Sequence, residues 1–580
     1  MADLPFQALV DAFARLEQTR SGNEMAQILA ELFRDTPVDV IDLVAYFTQG
    51  NVVAEYEDVN LNIGEKLMAE AIARASGRDR ADIASRYTEL GDYGSVAEDE
   101  LRGGESSAAD GLTVRHVHDE FLAIAEASGS GSQDDKLNRL AAVLKRATPE
   151  AAKYVVRVAL GTLRLGVGTM TILNGLALAF TGKKDKKPLE RAYNLCSDIG
   201  RVARTVADGG LEALEAIDIE VGHPIKMMAA QRVELLTDLF EKLPEGFAVE
   251  VKYDGERVQA HKSGEAVTLY SRNLEDITPQ YPDVARFVRD SIDADQAIVE
   301  GEVVALVPGT TDQFQEFQIL MSRKRKYDIE QYVDEVPVKL MLFDVLYVDG
   351  ESVIDCPFPE RRELLERITQ NAPRIEPAQL TVSNDVEEIE AFFNQAVERG
   401  FEGIMAKSRA EDSVYRAGAR EWSWIKWKRD YSKDLVDSFD VVAVGGFAGR
   451  GKRSGTWGAL LCAVYSPDRD RYETLCKVST GFSDEELAEL PATFAKLEVD
   501  EAPARVASEL EPTRWFEPKI VLEIQGAELT RSPVHTCGAD DASGEGGIAL
   551  RFPRFIRFRD DKGPSEATTV AEVQAIYKGT

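Results

Sequence analysis

The sequence predicts a multidomain chain: an all-α first region, an α+β region built on antiparallel sheets, and a small closed β-barrel at the end. Three observations predict it. Apolar residues recur at helical spacing up to about Met228, the hydrophobic period then shortens to two, and a glycine-crowded set of short strands begins near Arg429. A chain of 580 residues also exceeds what one core can serve, so domains are expected at 1–228, 229–428 and 429–580.

In the first region Met25, Ile28, Leu29, Leu32 and Phe33 trace one helical face, and Ala151, Val155, Val156, Val158 and Leu160 another. Ser128 to Ser132, a Ser-Gly alternation, reads as a turn between helices. Arg164-Leu-Gly-Val-Gly168 and Thr169 then lead into the apolar run Ile172 to Phe180. Glycines beside a helix start leave backbone N–H groups open to a phosphate, with Thr169 as the expected cap. Close helix packing at small residues explains Gly166 and Gly168 equally well.

Beyond the break at His223-Pro-Ile-Lys226, alternating runs at Phe247 to Lys252, Arg257 to His261, Ala266 to Tyr270, Ala297 to Leu306 and Leu340 to Val348 predict strands. In the third region Val441 to Gly446, Ala459 to Val464, Glu473 to Val478 and Ile520 to Ile524 read as short strands, and six glycines from Gly445 to Gly458 crowd the first connection. Several short strands in about 150 residues suggest a barrel of the OB type.

Aliphatic and aromatic residues reach 44%, enough for a folded protein, and no low-complexity tract or fixed-period repeat interrupts them. The first residues, Met1-Ala-Asp-Leu-Pro5, lack a basic segment followed by an apolar core, and no apolar stretch reaches membrane-spanning length, so a cytoplasmic protein is expected. Five scattered cysteines without a CxxC pair argue against a disulfide framework or a zinc site. Against 101 Asp plus Glu stand 68 Lys plus Arg, a net charge of −33. Salt screens self-repulsion on that scale, so a salt-rich cytoplasm such as a halophilic archaeon's is expected, with an ordinary acidic protein as the alternative.

Four basic clusters stand out from this acidic background: Lys183-Lys184 with Lys186-Lys187, Arg323 to Lys326, Arg450 with Lys452-Arg453, and Arg551, Arg554, Arg557 and Arg559. Each alone is an ordinary solvated face; together they suggest a surface that tracks phosphates.

Chemistry concentrates in the middle region. Lys252-Tyr-Asp-Gly-Glu-Arg257 ends a strand in an Asp-Gly turn. The plain explanation is a solvated turn. The chemical one is an amine nucleophile, able to hold a phosphoryl group briefly and release it on protonation, with Arg257 as a nearby cation. Later motifs supply what a lysine-bound nucleotide needs. Ser271-Arg272-Asn273 offers a cationic fork, Glu300-Gly-Glu302 sets carboxylates inside an apolar strand, and Phe343 beside Asp344 offers a ring for stacking. Glu402 opens a strand that ends in Lys407; Tyr415, Gly418 and Arg420 follow, and Lys426 and Lys428 share one face of the next strand. Two ammonium groups on one face repel unless an anion lies between them, and a triphosphate is such an anion.

In this order these motifs, with Leu342-Phe-Asp-Val345, Glu402-Gly-Ile-Met-Ala-Lys407 and Trp424-Ile-Lys-Trp-Lys428, resemble those of the covalent nucleotidyltransferases. The chain as a whole is similar to ATP-dependent DNA ligases of the archaeal and eukaryotic replicative type. The helical front with Arg164-Leu-Gly-Val-Gly168 resembles that family's DNA-binding domain, and Arg551-Phe-Pro-Arg554 with Arg559-Asp-Asp-Lys562 its last motif. The resemblance implies ATP and Mg²⁺ as cofactors, nicked double-stranded DNA as partner, a monomer, and Lys252 as the residue that carries AMP. Glu250 would read adenine, Phe343 stack on it, and Arg272 and Glu302 hold the ribose. Arg257, Arg420, Lys426 and Lys428 would meet phosphates, Glu402 with Glu302 the metal, and Arg559, Asp561 and Lys562 the pyrophosphate. Arg164, Gly166, Gly168 and Thr169 would touch DNA.

Two departures and two alternatives accompany the resemblance. Gly103 to Gly111, ahead of Leu112-Thr-Val114, lacks the glutamine and paired aromatics of a sliding-clamp peptide, and the cysteine cluster of NAD-dependent ligases is missing. An RNA ligase or capping-type nucleotidyltransferase, and a non-enzymatic DNA-binding scaffold, are the competing functions.

Overall fold

The computed structural model describes the chain apart from residues 1–2, 58, 103–110, 164, 183–185, 234, 324–332, 371, 429–437, 450–454, 527, 540–545 and 580, and the side chains of 578 and 579. Arg164, Lys183, Lys184, Lys324 to Lys326, Arg450, Lys452 and Arg453 therefore lie outside the described residues. The fold separates into two compact units, Met1–Ile83 with Tyr93–Ser432, and Ala84–Asp92 with Lys433–Thr580.

The first unit opens with helices and no strand before Ala229 among the described residues, as the apolar spacing predicts. Helix α1 (Gly22–Asp35) starts where Ser21 accepts from the Glu24 N–H, and it buries Met25, Ile28, Leu29, Leu32 and Phe33. Helix α2 (Pro149–Ala159) starts on Thr148, which accepts from the Ala151 N–H, with proline at the first turn. Helix α3 (Thr169–Thr181) corrects an expectation: its N-cap is Gly168, in an extended conformation, and no side chain caps it. Thr169 is already helical, and its hydroxyl accepts instead from Gln49 Nε2 at 3.3 Å.

Strands β1 (Ala229–Arg232), β2 (Phe247–Lys252), β9 (Leu380–Val382), β10 (Gly403–Ser408) and β11 (Arg420–Lys428) form one sheet in the order β1-β11-β10-β2-β9. A second sheet runs β4-β3-β5-β6-β7, from β3 (Glu256–Ser263), β4 (Ala266–Ser271), β5 (Gln296–Ala305), β6 (Val338–Val348) and β7 (Glu351–Ser352), with β8 (Ile375–Pro377) beside β6. Most pairings are antiparallel. The exceptions are β1 on β11 and β8 on β6, which are parallel. In both, a short strand meets a partner distant in the chain, where no hairpin dictates direction. Val258, Ala260, Val299, Leu340 and Leu342 of the second sheet pack with Val284 and Val288 of the helix Pro282–Ser291 and Leu365 of α4 (Phe358–Ile368). The turn Tyr253 to Gly255 links the two sheets, and Lys252 stands at that junction.

The second unit is strand-rich. Its eight-stranded sheet includes β12 (Ser438–Ala448), β13 (Trp457–Ser466), β14 (Arg471–Val478), β15 (Val521–Gln525) and β16 (Arg554–Phe558). Phe439, Val441, Leu460, Val464, Leu475, Phe516 and Ile524 fill its core. No helix among the described residues is long and apolar enough to cross a membrane.

Candidate active site

Register brings the catalytic candidates together. Gly403 of β10 faces Lys252 on one side and Lys428 on the other, so the two lysines flank it. Glu402, one residue earlier, places Oε2 against both ammonium groups, with the Lys428 contact at 2.7 Å. Gly403 is required here: its φ is +146°, and a Cβ would meet the Trp427 carbonyl oxygen at 2.3 Å. The turn after Lys252 is equally constrained, since a Cβ on Gly255 would lie 2.1 Å from the Val303 oxygen. The Asp-Gly pair is thus packed against β5 rather than being an open solvated turn.

Electrostatics in this cluster work against each other. Burial pulls Lys252 down, but Glu402, Glu302 and Asp254 together hold it above its ordinary value. The cation expected beside the lysine is an anion. Glu402 resists burial and stays below the usual carboxylate range because Lys252 and Lys428 face it. Glu302 is pushed up to about 7, chiefly by burial, with further repulsion from Glu402 and Asp254. Asp254 rises to about 6 for the same reasons. Lys426 falls, first through burial and then through the repulsion of Lys428, Lys252 and Arg420.

Arg257 lies opposite Glu302 in the β3–β5 ladder, yet its guanidinium pairs with Glu300 at 2.8 Å and donates to the Met228 carbonyl at 2.7 Å. Glu300 is fully buried and also accepts from Gln259 and Tyr415. A free phosphate cation was expected of Arg257; what remains unbonded among the described residues is its buried Nε. Arg272 is exposed in the turn just beyond Ser271, which pairs with Val258 next to Arg257. Arg420 begins β11, donates to the Ala230 carbonyl at 3.3 Å, and its charge is felt by Lys426.

Glu250, buried on β2, has a cation on each oxygen: Arg362 Nη1 at 3.1 Å and Lys407 Nζ at 2.8 Å. Phe343 faces Arg257 and Lys407 at 5.2 and 5.0 Å from its ring centre and meets Trp424 edge-on. Asp344, on the other face of β6, is buried against Arg361 through two hydrogen bonds. Arg362 escaped sequence reasoning because one arginine in the run Phe358-Pro-Glu-Arg-Arg-Glu of an amphipathic helix carries no signal of its own.

Among the described residues no group of three or more His, Cys, Asp or Glu side chains is arranged to hold a metal ion. The mutual repulsion of Glu302, Glu402 and Asp254 nonetheless fits a hard cation that takes one or two carboxylates and completes its shell with phosphate and water.

In the second unit Arg559 pairs with Asp561 through two hydrogen bonds of 2.8 Å and with Asp440 at 2.9 Å, while Lys562 also pairs with Asp440. The structure therefore gathers Arg559, Asp561 and Lys562 around an acid the sequence did not single out. Arg557 pairs with Glu523, and Arg551 and Arg554 are exposed. Arg323, read as part of a basic surface, is buried and bound by both carboxylate oxygens of Asp283 at 2.8 and 2.9 Å.

Comparison with known proteins gives a consistent outcome. Residues 5–177 match the family model described as DNA ligase N terminus, 227–428 the ATP dependent DNA ligase domain, and 453–562 the ATP dependent DNA ligase C terminal region. DNA ligase 2 of Thermofilum pendens is 46% identical, over 99% of this chain and 98% of its own. DNA ligase of Aeropyrum pernix is 45% identical over 99% and 98%. Of solved structures, one titled Pmar-Lig_Pre. matches at 16% identity and a TM-score of 0.54, covering 95% of this chain and 99% of its own, a likeness of fold alone.

Proposed function

The chain belongs to the ATP-dependent DNA ligase family, and from that premise we propose how its residues divide the reaction. The neutral Lys252 amine attacks the α-phosphorus of ATP; a P–N bond forms, the bond to the bridging oxygen breaks, and pyrophosphate leaves. A 5′-phosphate oxygen at a nick in double-stranded DNA then attacks the lysine-bound AMP, and Lys252 departs as an amine that takes up a proton. The 3′-hydroxyl finally displaces AMP and closes the strand.

Glu250 accepts from the adenine amino group, Phe343 stacks on the ring, and Arg272 and Glu302 hold the ribose. Lys426 and Lys428, with Arg420 and the open Nε of Arg257, meet phosphate oxygens as charge builds. Glu402 and Glu302 are the residues that would hold Mg²⁺, which supplies neutralisation of the phosphates. Arg559, Asp561 and Lys562 orient the leaving pyrophosphate. Gly166, Gly168 and Thr169, with Arg164, contact DNA; Gly168 caps α3 without a side chain, which leaves the first N–H groups of that helix free of side-chain caps.

The same reading assigns domains to 1–228, 229–428 and 429–580, an OB-type barrel to the last, a monomeric state, and a salt-rich cytoplasm to match the charge of −33. One observation carries it: Lys252, Glu402 and Lys428, far apart in sequence, converge around Gly403. The test is sealing of a nicked DNA duplex with ATP and Mg²⁺ in molar salt, compared with nicked RNA and with GTP. Sealing of DNA with ATP is expected; sealing of RNA alone, or none, would refute the reading.

A further inference from the structure

The carboxylate of Glu250 is buried and held by a cation on each of its two oxygens. Lys407 and Glu250 are diagonal neighbours on adjacent strands, since Met405 lies opposite Glu250 and Lys407 opposite Ala248. Lys407 Nζ reaches Glu250 Oε2 at 2.8 Å and also donates to the Phe343 carbonyl at 2.7 Å. The rings of Phe343, Phe358 and Trp424 surround it at 4.5 to 5.0 Å. Arg362 comes from α4 to the other oxygen at 3.1 Å, and it is itself anchored on the Ala378 carbonyl at 2.9 Å and on Glu366 at 2.7 Å. Rotation of the carboxylate breaks at least one of these bonds in a buried site, where an unpaired charge is costly.

We propose that Lys407 and Arg362 are positioning residues for base selection: one cation on each oxygen fixes Glu250, and Lys407 ties that carboxylate to the strand carrying Phe343. The proposal rests on the reading of Glu250 as the acceptor of the adenine amino group. Each oxygen keeps a lone pair for the base while its direction is set in advance, so the fixed carboxylate rewards an amino group at one place and leaves a purine without it poorly held.

The experiment measures the rate of covalent adduct formation at limiting nucleotide, with ATP and with purine riboside triphosphate, which carries hydrogen in place of the amino group. Glu250→Gln tests the underlying reading and should remove most of the preference for ATP. If Glu250→Gln leaves that preference intact, Glu250 does not read the base and the proposal falls with it. If Glu250→Gln removes it, Lys407→Met and Arg362→Met should each cut the preference about 10- to 100-fold, the loss of one hydrogen bond to a charged group. Lys407→Arg should restore part of it. A defect of packing alone slows both nucleotides alike and leaves their ratio unchanged. An unchanged ratio in the cation variants, beside a reduced one in Glu250→Gln, overturns the proposal; should Lys407→Met fail to fold, the ratio in Arg362→Met decides.

Discussion

Two clusters in this molecule, at the end of β2 and just after β16, are built from the same kinds of side chain and differ in what surrounds them. Lys252, Glu402 and Lys428 are each between 21 and 24% exposed, whereas Asp561 is 62% and Lys562 34% exposed. In the first, strand register forces three carboxylates and two lysines together at the junction of two sheets, and burial drives Glu302 and Asp254 toward neutrality. In the second, Arg559 and Asp440 are shielded, at 14 and 12% exposed, but each also pairs with a partner open to water, Asp561 or Lys562, where salt screens the pair. Charge matters most where it is buried and unbalanced.

The sharpest way to break this comparison is to remove the lysine of the first cluster. Lys252→Ala should abolish strand sealing with ATP, since no other amine in the cluster has the same place at the end of β2. Glu402→Ala should come next, with adduct formation slowed on the order of 100-fold. Its pH dependence carries the sign: Glu402 holds the Lys252 proton on, so the rising limb of the pH–rate profile should move to lower pH in the variant. A shift to higher pH contradicts the assigned electrostatics.

Glu302→Gln probes the same cluster through stability. The folded value, about 7, lies above the ordinary 4.5, so the folded chain holds the proton more tightly than the unfolded one. Ionising Glu302 therefore costs stability as pH rises through that window. Denaturant titrations at pH 4 and pH 8 should show Glu302→Gln gaining about 1–3 kcal/mol on the unaltered chain at the higher pH only. The smallest effect belongs to the exposed cluster: Asp561→Asn should leave thermal stability nearly unchanged in molar salt, and its influence should appear in the rate of adduct formation. A large loss of stability there would erase the contrast between the clusters.

Much of the fold was legible because it is local. Period-two runs placed Phe247–Lys252 and the neighbouring strands within a residue or two, and helical spacing marked the front of the chain. What pairing decides was not legible. That Gly403 faces both Lys252 and Lys428 follows from β10 lying between β2 and β11, strands more than 150 residues apart. Arg257 is a phosphate cation by its motif, but across the β3–β5 ladder its guanidinium pairs diagonally with Glu300. Arg323 belongs to a run of basic residues, and only the fold shows Asp283 waiting in the core for that one member. Thr169 failed as a cap because capping depends on which residue is the last extended one, here Gly168.

The central claim is that Lys252 carries AMP. Mass spectrometry of proteolytic fragments, after the whole chain is incubated with ATP and Mg²⁺ in molar salt, tests it most directly. AMP on the peptide that contains Lys252, and none on the Lys252→Ala chain, is the predicted result. AMP on a peptide holding Lys407, Lys426 or Lys428, or an adduct that persists in the Lys252→Ala chain, would contradict it.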